Sequence, residues 1–294
     1  MNVPEICEEL QAQQRRRAGY IKSRLKVHNA MLAMLRNHLG YYSRMEDKSR
    51  EEIKKMSIAT LKAIQKGEET RQEFVDIVLS HQASIVEFEK RQKDIEKPMR
   101  QLAKQLPVYE WVQLPDQKGF GLMNLAVVLG ETGDLANYSN PGKVWKRLGC
   151  APYEKNGVVR MGSTWARAKT GPKLTKEEWS KFGYSPQRRS VAYNVGEPLL
   201  KSNGDGPYRQ RYIDARVRAF ETHPEWSWNV CTKCNNDPDE RDDCKTCGGT
   251  GHKCMQAHRH GMLLATKLLL KNLWIEWNPE RTKAGMEPMA VLSS

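Results

Sequence analysis

The chain has 294 residues, with 48 basic and 35 acidic side chains, and therefore a formal net charge of +13 at pH 7. This length suits one large domain or two smaller ones. No stretch approaches the roughly 18 apolar residues of a membrane span, so no membrane partner is expected. The positive charge favours a polyanionic partner, most often nucleic acid. Cys7 and Cys150 are isolated and no signal peptide is recognisable, which favours a cytoplasmic location.

The first third of the chain is predicted to be helical. No proline lies between Pro4 and Pro98, and good helix formers dominate. One helix is expected to end at Gly40, and a longer one carries a seam with alternating steps of four and three, as in coiled-coil a and d positions. The seam residues are Phe74, Val78, His81, Ile85, Phe88, Gln92, Ile95, Met99, Leu102 and Leu106. Residues 1–106 are therefore predicted to form a coiled-coil arm, either an antiparallel hairpin or the dimerising element of a homo-oligomer.

A glycine turn opens the next domain, predicted to comprise residues 107–228 and 255–294. Lys118, Gly119, Phe120 and Gly121 precede an apolar helix that begins at Leu122. Glycines let a backbone approach a phosphate closely, and the free amides of a helix start can donate to that phosphate. The turn therefore predicts a helix-hairpin-helix-like element that contacts DNA.

Positive charge is concentrated between Lys155 and Arg218. This window holds fourteen basic and five acidic residues, an excess of nine, and six Trp or Tyr residues are interleaved with them. Cations beside aromatic faces suit phosphate contacts and base stacking. DNA is the predicted partner, with RNA as an alternative. The candidate contacts from this window are Arg167, Lys169, Lys173, Arg188, Arg189, Arg209 and Arg211.

The remaining elements predict an all-α fold. The segment from Gly157 to Gly183 is loop-rich, and Ser185 followed by Pro186 is a favourable helix start. A further helix is predicted over Pro207–Phe220. The helix over His258–Trp277 is apolar on nearly all sides, so it is expected at the centre of the C-terminal core.

Two Cys-x-x-Cys motifs between these helices predict a zinc site. Cys231, Cys234, Cys244 and Cys247 have the spacing of tetrahedral zinc ligands. Cys254 and His252 are alternative ligands, and two disulfides are the alternative use of the four thiols. Residues 229–254 are therefore predicted to be a zinc-knuckle insertion with a structural metal. The acidic tip of this insertion argues against a phosphate contact there.

Four motifs in a row resemble the C-terminal domain of the DEDD insertion-sequence transposases, the family that includes the Piv-type invertase. They show a Gly-x-Gly hairpin, a Gly-Asp segment, a proline turn and a Gly-x-Ala-Pro block in the family's order. Their positions are Gly119–Gly121, Gly130–Leu135, Asn140–Lys143 and Leu148–Pro152. The resemblance covers roughly residues 70–277, and it implies a mobile-element or phage protein that acts in DNA transposition or recombination in a bacterial or phage-infected cell.

Two departures from the family bear on catalysis. Family members begin with an RNase H-like domain whose acidic residues hold catalytic metal ions, and no strand pattern before Pro107 matches it. Catalysis would therefore require an RNase H-like partner in trans. The family's serine nucleophile corresponds by position to Ser185, with Ser190 as second choice, although a helix cap is the structural alternative for Ser185. The alternative hypotheses are a non-catalytic nucleic-acid-binding protein or a coiled-coil scaffold derived from a transposase.

Overall fold

The computed structural model shows a mostly helical chain, as predicted. It describes residues 1–168, 171–202, 204, 206–241, 244, 246–247 and 249–280. The chain divides into two compact units: unit 1 contains residues 1–11 and the chain from Arg100 onward, and unit 2 contains residues 12–99. Both ends of the predicted arm, 1–106, therefore belong to the unit that contains the C-terminal helices. No helix in the described part of the chain is long and apolar enough to cross a bilayer.

Unit 2 contains most of α1 (Val3–His38), all of α2 (Asp47–Lys66) and most of α3 (Gln72–Ala103). Within this unit α1 and α3 run antiparallel. Arg17 Nε lies 2.8 Å from Glu96 Oε1, and Arg24 Nη1 lies 3.2 Å from Glu89 Oε1. Every seam residue of unit 2, from Phe74 to Met99, is buried or half-buried. The seam therefore packs as an antiparallel hairpin within one chain.

Helices α1, α2 and α3 enclose a small apolar core in unit 2. Helix α2 contributes to it through Leu61, and Ile64 packs against it. Gly67 ends α2 with a left-handed φ of 75°. The core residues are Met31, Leu35, Leu61, Phe74, Ile77, Val78 and Ile85.

Unit 1 contains the remaining elements. Three short 3-10 turns occur among them, at Pro115–Gln117, Leu135–Asn137 and Pro224–Trp228. The helices and strands are α4 (Tyr109–Gln113), α5 (Leu122–Thr132), α6 (Pro141–Arg147), β1 (Pro152–Lys155), β2 (Val158–Met161), α7 (Gly162–Arg167), α8 (Lys176–Phe182), α9 (Pro186–Ser202), α10 (Pro207–Thr222), α11 (Pro238–Arg241) and α12 (Met255–Trp277).

The segment expected to be loop-rich, residues 157–183, contains more regular structure than predicted. Strands β1 and β2 pair antiparallel, with Tyr153 opposite Arg160. The turn between them uses Asn156 and Gly157, which both have positive φ, as a type I′ hairpin turn requires. Helix α8 begins with a capping box between Thr175 and Glu178. Local turn and cap chemistry therefore forms a hairpin and a short helix where apolar periodicity is weak.

Helix α12 lies at the centre of unit 1, as its apolar sequence predicts. It packs against α10, α9 and α6. A small residue allows the closest approach, since a Cβ on Gly261 would lie 2.8 Å from Tyr212 Cδ2 and 2.9 Å from the Tyr212 carbonyl oxygen. Indole groups fix its C-terminal end: Trp274 Nε1 donates to the Tyr138 carbonyl at 3.0 Å, and Trp277 Nε1 donates to Asp134 Oδ1 at 2.9 Å.

The glycine turn before α5 is a packing contact. Gly119 has φ +97°, and a Cβ there would lie 2.5 Å from the Pro198 carbonyl oxygen of α9. Phe120 is fully buried, with its ring edge-on to Trp111 at 6.3 Å. Phe120, predicted as part of the DNA-contacting turn, therefore has no side-chain surface available to a ligand. Gly121 is exposed at the start of α5, so a contact through the turn's free amides stays a prediction.

We expect Gly119→Ala to destabilise unit 1 by at least about 2 kcal/mol, since it combines a strained positive φ with a backbone clash. Thermal and urea unfolding of the full chain measure this change. Gly121→Ala is the matched control, because its φ is −82° and nothing lies within 4 Å of the added Cβ. It should cost less than about 1 kcal/mol as a weaker helix cap. Equal effects of the two substitutions would contradict the packing role.

Candidate metal centre and cationic cavities

Four cysteine sulfurs form one cluster. The Sγ atoms of Cys231, Cys234, Cys244 and Cys247 all lie within 4.8 Å of one another. Cys231 Sγ is 3.9 Å from Cys244 Sγ, and Cys234 Sγ is 3.7 Å from Cys247 Sγ. All four are free thiols, so the structure does not support the disulfide alternative. The four cysteines can together hold a metal ion such as zinc.

The spacing of the sulfurs fits a tetrahedral ion. Four thiolates about 2.3 Å from a central zinc lie about 3.8 Å apart along each edge of the tetrahedron. The two sulfur pairs at 3.7 and 3.9 Å match this edge. The alternative ligands do not join the cluster. Cys254 Sγ donates a hydrogen bond to Gln256 Oε1 at 3.3 Å. The centres of the His252 and Phe220 rings lie 5.5 Å apart.

The surroundings shift the pKa values of the four thiols in different directions. Hydrogen bonding from the Cys247 amide lowers the pKa of the Cys244 thiol to about 6; the Thr246 amide acts in the same direction, although burial opposes both. A thiol with this pKa is a thiolate at neutral pH, and the thiolate is the form that binds metal. Burial acts the other way on two other ligands, since it raises the pKa of Cys234 to about 12 and also raises the pKa of Cys247.

The cysteine loop is closed at its base. The Cys231 amide donates to the Gly251 carbonyl at 2.9 Å, and the Lys253 amide donates to the Asn229 carbonyl at 2.8 Å. Between them, Val230 and His252 form an antiparallel bridge. The loop is thus an insertion between the packed helices α10 and α12. Its tip exposes Asp237, Asp239 and Glu240, which keeps negative charge at the far end.

A buried arginine joins this insertion to α10. Arg216 is only 3% exposed. Its Nη1 donates to the Cys247 carbonyl at 2.6 Å, and its Nη2 donates to the His252 carbonyl at 2.9 Å and to Thr250 Oγ1 at 3.3 Å. Arg216 was counted in the basic window, but this geometry makes it a structural donor to the cysteine loop and removes it from the surface.

Cavity 1 is a recess of about 360 Å³ beside α9 and α12. Three arginines line it, with Tyr193 and the hydroxyls of Ser163 and Ser190. Arg189 is held in place by hydrogen bonds of its Nη1 to the Gly149 carbonyl at 3.3 Å and to Cys150 Sγ at 3.6 Å. No carboxylate or histidine occurs among the lining residues that the structure describes. The lining arginines are Arg167, Arg189 and Arg259.

The two candidate serines lie in different surroundings. Ser185 precedes α9 and its Oγ accepts from the Arg188 amide at 3.5 Å, a long contact in the geometry of a helix cap. Ser190 is exposed, lines cavity 1 beside Arg189, and donates to the Pro186 carbonyl at 3.0 Å. Of the two predicted nucleophiles, only the second choice is among the residues that line this cationic recess.

Cavity 2 is a recess of about 370 Å³ between α6, α10 and α12. Trp145, Leu264 and Leu268 give it apolar walls. Trp145 is fixed by a hydrogen bond from its Nε1 to the Lys267 carbonyl at 3.1 Å, and the Lys267 ammonium lies 5.3 Å from the centre of the indole. Burial lowers the pKa of Lys267, and nearby Arg189 acts in the same direction. The lining cations are Arg211, Arg218, Lys267 and Lys271.

The structure separates the other predicted DNA contacts from these cavities. Arg188 lies 3.6 Å from Glu131. Lys173 and Lys118 are exposed elsewhere, and the Lys173 carbonyl accepts from Lys155 Nζ. Arg209 Nη1 donates to the Leu200 carbonyl at 3.4 Å. Lys169 lies outside the described residues. Of the six basic-window candidates that the structure describes, Arg167, Arg189 and Arg211 line cavity 1 or cavity 2.

Sequence reasoning missed four of the cavity cations. Arg259, Lys267 and Lys271 lie on α12, which was treated as an apolar core helix, and Arg218 was counted in the window without being singled out. A signal was available, since Lys267 and Lys271 are four residues apart and therefore share one helix face within the apolar run. That face could have been recognised as a basic edge of the core helix.

Comparison with known proteins gives no assignment. No protein-family model, curated protein or solved structure matches this chain.

We expect Arg216→Met to lower the unfolding free energy by about 2 kcal/mol or more, because it removes a charged donor from buried carbonyls while retaining most of the side-chain volume. Chemical denaturation followed by circular dichroism measures the loss. The control is Arg218→Met, two positions along α10, where the side chain is exposed. If both variants unfold like the unsubstituted chain, the buried guanidinium has no role in stability.

Proposed function

We propose that the protein binds nucleic acid, most directly DNA, through the cationic face formed by cavities 1 and 2 of unit 1. The observation that carries this proposal is a set of seven cations on the two flanks of α12. Among the described residues none of the seven pairs with a carboxylate, although other lysines and arginines of the chain do. The seven are Arg167, Arg189, Arg211, Arg218, Arg259, Lys267 and Lys271.

Unpaired like charges favour a polyanionic ligand. Cations grouped around one helix repel one another, and a ligand with several phosphates relieves that repulsion and releases its own counterions. Nucleic acid supplies phosphates at regular spacing, so it can engage both flanks of α12. Arginine suits such contacts because its planar fork donates two hydrogen bonds to one phosphate.

The motif resemblance supports a role in DNA transposition or recombination. In this proposal the chain supplies binding, and an RNase H-like partner supplies the acidic metal-binding residues. Ser190 is the better-placed nucleophile, since cavity 1 surrounds it with guanidinium groups that would stabilise charge on a phosphorane. A proton acceptor would have to come from outside cavity 1, because its described lining holds no carboxylate or histidine.

We also propose that the protein forms a homo-oligomer. Because the seam of unit 2 is already packed within one chain, a second copy would need other apolar contacts. Leu79 and Val86, one heptad apart on α3, are 61% and 51% exposed and could supply them.

We further propose that the ion held by the four cysteines is zinc and that its role is structural. Four thiolates close the tetrahedron and leave no open position for substrate, as in structural zinc sites. The short segment around them has little core of its own, so the ion would contribute its folding energy.

Binding should depend strongly on salt. We expect the logarithm of the association constant to fall linearly with the logarithm of salt concentration, with a slope near −0.9 per phosphate neutralised. Fluorescence anisotropy with a labelled DNA duplex at several salt concentrations measures the slope. The variant Arg167→Glu/Arg259→Glu should bind weakly and give a slope shallower by about 2.

The matched control for this variant is Lys22→Glu/Lys26→Glu. It changes the net charge equally, but both lysines are exposed on α1 of unit 2. A slope near zero for the unsubstituted protein would rule out substantial phosphate contact. Equal loss in the two variants would indicate attraction by net charge alone and would remove the role of the cationic face.

Zinc removal should unfold the cysteine loop. We expect one zinc per purified chain, and we expect Cys244→Ser or chelation to abolish metal binding and lower the thermal midpoint by several degrees. Metal analysis and thermal unfolding measure the two effects. The control, Cys254→Ser, should retain the metal because its sulfur lies outside the cluster. A metal-free chain with unchanged stability would contradict the structural role.

A further inference from the structure

Cavity 2 combines features that a phosphate site alone does not need. Its walls are apolar, formed by the Trp145 indole and the side chains of Leu264 and Leu268, while four cations surround them. We propose that cavity 2 holds one unpaired nucleobase of a single strand, so that the protein prefers single-stranded over duplex nucleic acid. This inference rests on the proposed function and specifies the form of its ligand.

The walls of the cavity suit the flat, partly apolar body of a base. A recess of this volume falls in the range of small-ligand pockets. The Trp145 ring is half-buried, and its hydrogen bond to the Lys267 carbonyl fixes its orientation on α12. An aromatic ring that is already held in place loses little conformational freedom when a base packs against it. Base–aromatic stacking of this kind accepts any base.

The cations suit the phosphates on either side of that base. Arg211 and Arg218 lie on α10, and Lys267 and Lys271 lie on α12, so positive charge borders the apolar walls from two helices. An inserted nucleotide carries a phosphate on its 5′ side and another on its 3′ side. A fatty acid would also fill apolar walls, but its single carboxylate would leave most of the four charges unmatched.

A duplex cannot satisfy this arrangement without being opened. In a duplex the base faces are stacked and the phosphates lie on a convex surface, so neither an apolar recess nor the indole in it would be filled. Extruding a base from a duplex costs unstacking energy, which a single strand largely avoids. The geometry therefore favours a strand whose bases are already free.

The experiment compares four probes at one salt concentration: oligothymidylate, oligouridylate, a DNA duplex of the same length, and an abasic DNA strand with the same number of phosphates. We expect the base-containing single strands to bind roughly tenfold more tightly than the abasic strand, the gain typical of base–aromatic stacking. They should also bind more tightly than the duplex. The tighter of the two single strands identifies DNA or RNA as the natural source of the base.

The variant Trp145→Leu should lower the affinity for the base-containing strands roughly tenfold relative to the abasic strand, because it removes the stacking surface. Trp228→Leu is the control, because this tryptophan is 80% exposed and outside the cavity. If Trp145→Leu fails to fold, photocrosslinking of the unsubstituted protein to a strand carrying 5-iodouracil gives a second readout. The crosslinked peptide should then contain Trp145.

The outcomes separate the inference from the proposed function. No binding of any probe overturns both. Binding of all four probes with equal affinity, or a crosslink that maps away from cavity 2, overturns the nucleobase site while nucleic-acid binding stands. Tighter binding of base-containing strands that depends on Trp145 and not on Trp228 supports the inference.

Discussion

The close packing of α12 against its neighbours is the constraint on which unit 1 depends. Small residues make it possible, with Gly261 against Tyr212 and Ala257 fully buried close to Ala219. At the edges of this packing, long basic side chains of α9, α10 and α12 line the two cavities. Those edges are where the two cavities lie. The same packing brings the ends of α10 and α12 together, so the cysteine loop can close between them.

Arginine has two opposite roles in this small region. Arg216 is buried, and the Cys247 and His252 carbonyls each accept a hydrogen bond from its guanidinium. Two residues away, Arg218 is exposed and borders cavity 2. Net charge alone does not distinguish the two side chains, because both count equally in the basic window. The helix face decides whether a guanidinium stabilises the protein or remains available to a ligand, and that face depends on what packs against α10.

Much of the helical architecture could be predicted from sequence because its signals are local. The starts of α9 and α10 follow from Pro186 and Pro207, and the seam of α3 follows from its periodic apolar residues. The four cysteines could be assigned because motif spacing constrains metal geometry. The hairpin of β1 and β2 was missed although Asn156 and Gly157 form a recognised turn pair, since its strands are short. The cavities could not be predicted, because their cations come from helices far apart in sequence.

The hydrogen bond from Arg216 to the Cys247 carbonyl couples the sequence of α10 to the presence of the cysteine loop. An insertion between two helices is usually dispensable, since its closed base lets the flanking helices meet without it. Here the loop supplies the Cys247 and His252 carbonyls and the Thr250 hydroxyl that accept from Arg216, so its deletion would leave this guanidinium without those acceptors. Loss of the loop would therefore favour a compensating replacement of Arg216 on α10.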